Sequence, residues 1–190
     1  PQPQLLLLDE PFSSLDADLR ERLAQDIRTI LNQSDTTALF VTHDQHEALS
    51  MSDRIGIFNK GRIEQIATPT ELYAYPKTRF VAEFVGAANV FHGASAKALG
   101  FDSGVMIRPE RISISANDFT ANNATVASKQ YFGSFWRVQV ELHGLQTAEK
   151  IGMIVDMLHS PSVRIPNTGD AVQVYWGADA VHRIDESLAA

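Results

Sequence analysis

The chain has 190 residues, a formal net charge of -7, 44% hydrophobic and 21% charged residues, and no cysteine. These values are those of an ordinary globular sequence; they exclude a disulfide framework and a cysteine-based metal site. The longest apolar run is four residues, as at Leu5–Leu8, against the roughly 20 that a helical membrane span requires. The acidity is concentrated before Gly86, where thirteen Asp and Glu face eight Lys and Arg, against ten and eight afterwards. The strong basic footprint of a nucleic-acid binder is therefore missing, and no charged-then-apolar leader marks secretion.

In chain order, Leu5–Leu8 reads as a short parallel strand, buried on both faces because every side chain is apolar. Asp16 can cap a helix from about Ala17 to Gln33, with Leu19, Leu23, Ile27, Ile30 and Leu31 at helical spacing. A second apolar strand follows at Ala38–Val41, then a short helix from Gln45 to about Met51 and a strand at Ile55–Phe58. Asn59-Lys60-Gly61 is a tight turn, and Arg62–Ile66 returns as a hairpin partner. Strands separated by helices imply an α/β layer architecture. From Thr70 to Val85 the pattern is helical, broken in two by Pro76, with Phe80, Val81 and Phe84 as one apolar face.

Beyond Gly86 the texture becomes β-rich. Short runs are expected at Val90–Phe91, Val105–Arg108, Arg111–Ser115, Thr125–Ser128, Phe135–Leu142 and Val172–Trp176, with VHRI near the end. Regular spacing of short strands points to a small barrel. The chain thus divides into an α/β part, residues 1–86, and an all-β part, residues 87–190.

The chemistry-bearing residues sit where strands end. Asp9 and Glu10 follow the first strand, and Pro11 stops its ladder, so both carboxylates reach the rim where α/β ligands bind. One acid can hold Mg²⁺ through hard oxygen and water, and the other can deprotonate an attacking water. A plain acidic strand end is the competing reading. His43 follows the second strand, beside the same rim, where an imidazole can meet a terminal phosphate. The other five histidines (His46, His92, His143, His159 and His182) lack such a setting.

LLLLDEPFSSLD, followed by FVTHDQHEALSMSDRIGIFNKGRIEQIATPTELYAYP, resembles the C-terminal half of an ABC-transporter ATPase subunit, a P-loop NTPase. LLLLDEP is similar to the Walker B motif with its catalytic glutamate, SSLD to the D-loop, and VTHD to the switch-histidine loop. The resemblance implies that Asp9 organises Mg²⁺, usually through water, and that Glu10 polarises the hydrolytic water. It implies that His43 contacts the γ-phosphate of ATP, and that Asp16 connects two sites across a head-to-tail dimer. IRPERISIS and GDAVQVYWGADAVHRI resemble the OB-like TOBE domain of importer ATPases, and the join PKTRFVAEFVGAANVF is similar to that of polyamine and ferric-iron importers.

A phosphate loop reading G-x-x-x-x-G-K-[ST] is absent, as are the LSGGQ signature and the Q-loop glutamine. All are expected upstream of Pro1, and the chain alone is expected neither to bind ATP tightly nor to turn it over. The implied partners are a second copy of the subunit, transmembrane permease subunits and, indirectly, an external solute-binding protein. The implied location is the cytoplasmic face of the inner membrane, without nucleic acid. Two other readings stay open: an OB-like binding module and a nonenzymatic regulatory remnant that dimerises. Arg108 and Glu110 are expected to stabilise a turn, and Trp136 and Trp176 to lie in the core.

Overall fold

The computed structural model describes residues 3–34, 36–115, 122–147 and 150–185. The chain divides into two compact units, Pro1–Tyr73 and Ala74–Ala190.

The first unit runs β1 (Leu5–Asp9), α1 (Ala17–Ser34), β2 (Thr37–Val41), α2 (Gln45–Met51), β3 (Ile55–Asn59), β4 (Arg62–Ala67) and α3 (Pro69–Ala74), the last ending at the division. β1 and β2 are parallel, in register from Leu5 opposite Thr37 to Asp9 opposite Val41. Asp16 starts α1 as expected: its carboxylate accepts the Leu19 N–H at 2.9 Å. The expected burial of β1 on both faces does not hold. Leu6, Leu8, Ala38 and Phe40 are half-buried, whereas Leu7 is 66% and Leu39 58% exposed. Within the described residues, Phe40 packs with Leu23, Ile27 and the buried Phe12, Ala24 and Met51, and the opposite face of the pair stays open. Leu19 and Ile30, expected on the apolar stripe of α1, are also exposed. Among the described residues the apolar cluster takes Leu23, Ala24 and Ile27 of α1 with Phe12, Phe40 and Met51, and neither Leu19 nor Ile30 is part of it.

β3 and β4 form the expected hairpin, Asn59 pairing with Arg62 across Lys60-Gly61. Both turn residues have positive φ, 49° and 78°, as the twist-matched two-residue hairpin turn demands.

The second unit comprises α4 (Arg79–Phe84), β5 (Asn89–Phe91), α5 (Gly93–Ala98), β6 (Val105–Ile107), β7 (Ile112–Ser115), β8 (Asn122–Tyr131), β9 (Phe135–Leu142), β10 (Ile151–Leu158), β11 (Ala171–Trp176) and β12 (Val181–Arg183). Pro76 separates α3 from α4, as expected. α4 buries Val81 and Ala82 and leaves Phe80 exposed, stacked on Phe84 at 6.0 Å. The buried face is therefore one residue round the helix from the expected one. α4 lies within this second compact unit.

Five strands form an antiparallel sheet in the order β10-β9-β8-β11-β7, and three more form β12-β6-β5. The sheet curls until its end strands β10 and β7 approach each other. Val126, Val138, Val140, Met153, Val155 and Val174 from alternating positions fill the interior with Ile107 and Ile112. β10 and α5 are additions to the sequence reading. In IGMIVDML, Gly152 and Asp156 obscure the alternation that buries Ile151, Met153 and Val155; α5, GASAKA, has too few apolar residues to show a stripe.

Arg108 is buried, and its Nη1 donates to the carbonyls of Ala82, Gly86 and Ala87 at 2.9, 3.2 and 3.0 Å. A cation here meets the negative end of α4 and the loop after it, so its role is structural and reaches well beyond its own turn. Trp136 and Trp176 are half-buried against the core. Trp136 also faces outward contacts, with Tyr131 at 4.8 Å and Lys129 at 5.5 Å from its ring. Tyr131, Phe132, Phe135 and Trp136 thus gather around the β8–β9 tip.

Candidate active site

Parallel pairing brings the C-terminal ends of β1 and β2 out on the same side, and this is what assembles the site. The Glu10 N–H still bonds the Val41 carbonyl at 2.8 Å, so the chain leaves the ladder only at Glu10 itself. There φ is +45°, a left-handed conformation that costs a non-glycine residue of order 1–3 kcal/mol and tends to mark functional positions. The Glu10 carbonyl then accepts from the Ser13 N–H and hydroxyl at 3.3 and 3.1 Å, while Phe12 anchors the turn in the core.

From the neighbouring strand end, His43 Nδ1 lies 3.0 Å from Glu10 Oε1. Hydrogen bonding to Glu10, followed by its charge and those of Asp44 and Glu47, raises the His43 pKa above the ordinary 6.5. The imidazole is thereby biased toward its cation, a donor at both nitrogens. Below the pair is a hollow of about 30 Å³ lined by Glu10, Ser13, Thr42, His43 and the polar groups of Arg20, Asp44 and Glu47. That is space for one or two water molecules with several polar partners.

Asp9 and Asp16 do not join this pair. Asp9 shares the exposed face of β1 with Leu5 and Leu7, opposite Val41. Asp16 caps α1. Among the described residues no three His, Asp or Glu side chains gather as a metal cage. A single exposed carboxylate at a strand end still fits Mg²⁺, which keeps several waters and takes few protein ligands beside phosphate oxygens; Asp9 is the residue that would hold it.

The residues around the histidine turn were not singled out from the sequence. Asp44 caps α2, accepting the His46 and Glu47 N–H groups at 2.8 and 3.3 Å. Burial pushes its pKa up, but those two bonds and Arg20 outweigh burial and hold the carboxyl below 3.8. Glu47 is buried and accepts the Thr42 hydroxyl at 2.6 Å. The D-x-x-E spacing from Asp44 to Glu47 was the available signal, since an acid three residues after a cap is a helix-start pattern.

Residues 105–184 match the TOBE domain family. Over 184 residues, 95% of its length, the chain is 40% identical to the uncharacterized ABC transporter ATP-binding protein YdcT of Escherichia coli (strain K12). It belongs to the ABC transporter ATP-binding proteins. Two further ABC relatives carry import names. The chain is 35% identical over 199 residues to the spermidine/putrescine import ATP-binding protein PotA of Borreliella afzelii, covering 95% of this chain and 54% of that protein. It is 39% identical over 160 residues to the Fe(3+) ions import ATP-binding protein FbpC 1 of Pectobacterium atrosepticum, covering 75% and 46%. Against YdcT the covered share is 53%, so the chain spans about half the length of the relatives it matches. Among the described residues no helix is long and apolar enough to cross a membrane.

Proposed function

We propose that the chain is part of the ATP-hydrolysing subunit of an ABC solute importer, with Glu10 as general base and His43 as its electrostatic partner. The observation that carries this reading is the Glu10–His43 contact at 3.0 Å, above a water-sized hollow at the ends of two parallel strands. Glu10 accepts a proton from the attacking water as the water oxygen bonds the γ-phosphorus and the bond to the β–γ bridging oxygen breaks. In its protonated form the His43 ring, with Nδ1–H on Glu10, has Nε2–H left to donate to a terminal phosphate oxygen. This places positive charge where the transition state gathers negative charge. Mg²⁺, held by Asp9, would supply charge neutralisation to the phosphates when bound.

The phosphate cradle, the Q-loop glutamine and the signature motif are assigned to other parts of the longer protein. The α/β part is on this reading a portion of a P-loop NTPase fold, residues 1–86, and residues 87–190 form the OB-like regulatory domain. Partners are a second copy meeting the Asp16 turn, transmembrane permease subunits at the inner membrane, and a solute-binding protein acting through them; no nucleic acid is required. Relatives named for a polyamine and for ferric iron share this same segment. Cargoes so unlike in chemistry imply that selection resides elsewhere in such importers; a polyamine or ferric iron is our proposal for the cargo.

The test is steady-state ATP turnover of the longer protein that contains this chain. Glu10→Gln is expected to lower kcat by about 10²-fold or more while nucleotide binding persists. Unchanged turnover would remove the general-base assignment.

A further inference from the structure

We propose that Arg20 is a positioning residue that ties the Leu15–Asp16 turn to the His43 turn and so holds His43 on Glu10. The guanidinium bridges the two turns. Nη2 donates to the Leu15 carbonyl at 3.0 Å, and Nη1 donates to Asp44 Oδ2 at 2.8 Å. The other Asp44 oxygen caps α2. The Asp44 N–H donates to Thr42 Oγ1 at 3.0 Å, and the Thr42 hydroxyl donates to the buried Glu47. Both residues flanking His43 are therefore fixed by hydrogen bonds, and Arg20 carries that order back to α1. Its own placement depends on Asp16, whose carboxylate bonds the Leu19 N–H and whose carbonyl accepts the Arg20 N–H at 2.9 Å.

The bridge has slack. Arg20 Nε is buried and, among the described residues, has no hydrogen-bond partner; Glu47 Oε1 stands 3.7 Å away. A shift of α2 against α1 of less than about 1 Å brings that pair to hydrogen-bond distance. The two turns thus have a tighter arrangement within reach, and Arg20 is the part that both would bias. This inference rests on the hydrolase reading for its role: a displacement at the Asp16 turn would reach the histidine through Arg20. Lysine cannot replace the fork, because a single ammonium cannot reproduce its fixed geometry toward two separate acceptors.

The experiment uses the full 190-residue chain, labelled with ¹⁵N and without nucleotide. It reads the His43 Nδ1 shift and amide exchange at His46 and Glu47, with Ile57 in the β3–β4 hairpin as internal control. Arg20→Gln is expected to move the His43 shift and to speed exchange at His46 and Glu47 about tenfold, with Ile57 unchanged. Arg20→Lys should give an intermediate result. Asp16→Ala should speed the same two amides in the Arg20 background and add nothing in the Arg20→Gln background. Uniformly faster exchange, including Ile57, would reduce Arg20 to a structural role and overturn the proposal. So would an Asp16→Ala effect of equal size in both backgrounds, or an unmoved His43. Turnover plays no part here, so failure of this inference is separate from failure of the hydrolase reading, which the Glu10→Gln kinetics decide.

Discussion

Glu10 combines two features that ordinary strand ends do not share: a positive φ and a carboxylate bonded to an imidazole from the next strand. The sequence shows why the chain must leave the ladder there, since Pro11 cannot donate to it. Only the structure shows that leaving it turns the carboxylate toward His43. The consequence is testable by NMR titration. His43 should titrate above 6.5, and Glu10→Gln should bring its midpoint down toward that value. The sign follows from linkage. A raised histidine pKa contributes stability fully below 6.5 and loses it as pH rises through the raised value. The lowered Asp44 pKa contributes above 3.8 and loses it as pH falls through the folded value. Both contributions to the site turn are therefore complete together between 3.8 and 6.5.

At the scale of elements, the hairpin and the edge strand show opposite degrees of legibility. Asn59-Lys60-Gly61 announces a hairpin because glycine accepts positive φ without a Cβ penalty, and the register confirms it. β10 announces itself poorly, and what secures it lies far away in sequence. Asn89 Nδ2 donates to the Ile154 carbonyl at 2.8 Å, and the Ile154 N–H donates to Asn89 Oδ1 at 2.6 Å. One buried amide side chain thus supplies the paired bonds that a neighbouring strand would give an edge. Asn89→Ala removes both partners from the strand backbone and is expected to destabilise the second unit by about 1–3 kcal/mol. Urea unfolding followed by Trp136 and Trp176 fluorescence checks this.

At the scale of the whole molecule, the dominant feature is apolar surface left open on the first unit. Leu5, Leu7, Leu39 and Val41 form one exposed face of the β1–β2 pair, and Phe58, Ile63 and Ile66 are exposed on the β3–β4 hairpin. Parallel strands normally carry layers on both faces, and contiguous apolar patches drive association. Replacing Leu7 and Leu39 by lysine is expected to reduce self-association in sedimentation velocity and to leave the thermal midpoint nearly unchanged. A fall of the midpoint of more than about 4 °C would show that this face is packed.

By itself the sequence determined the local devices and the family. Caps, the Pro76 break, the Lys60-Gly61 turn, and the strand-Asp-Glu and strand-Thr-His order are each written within a dozen residues, because local sterics and hydrogen bonding decide them. The tertiary structure alone decided which face of β1 is covered, which side of α4 is buried, that Asn89 fastens β10, and that Arg20 joins the two turns beside His43. Each of those depends on groups brought together by parallel pairing or by a closing sheet, and no periodicity along the chain encodes a partner twenty or sixty residues away.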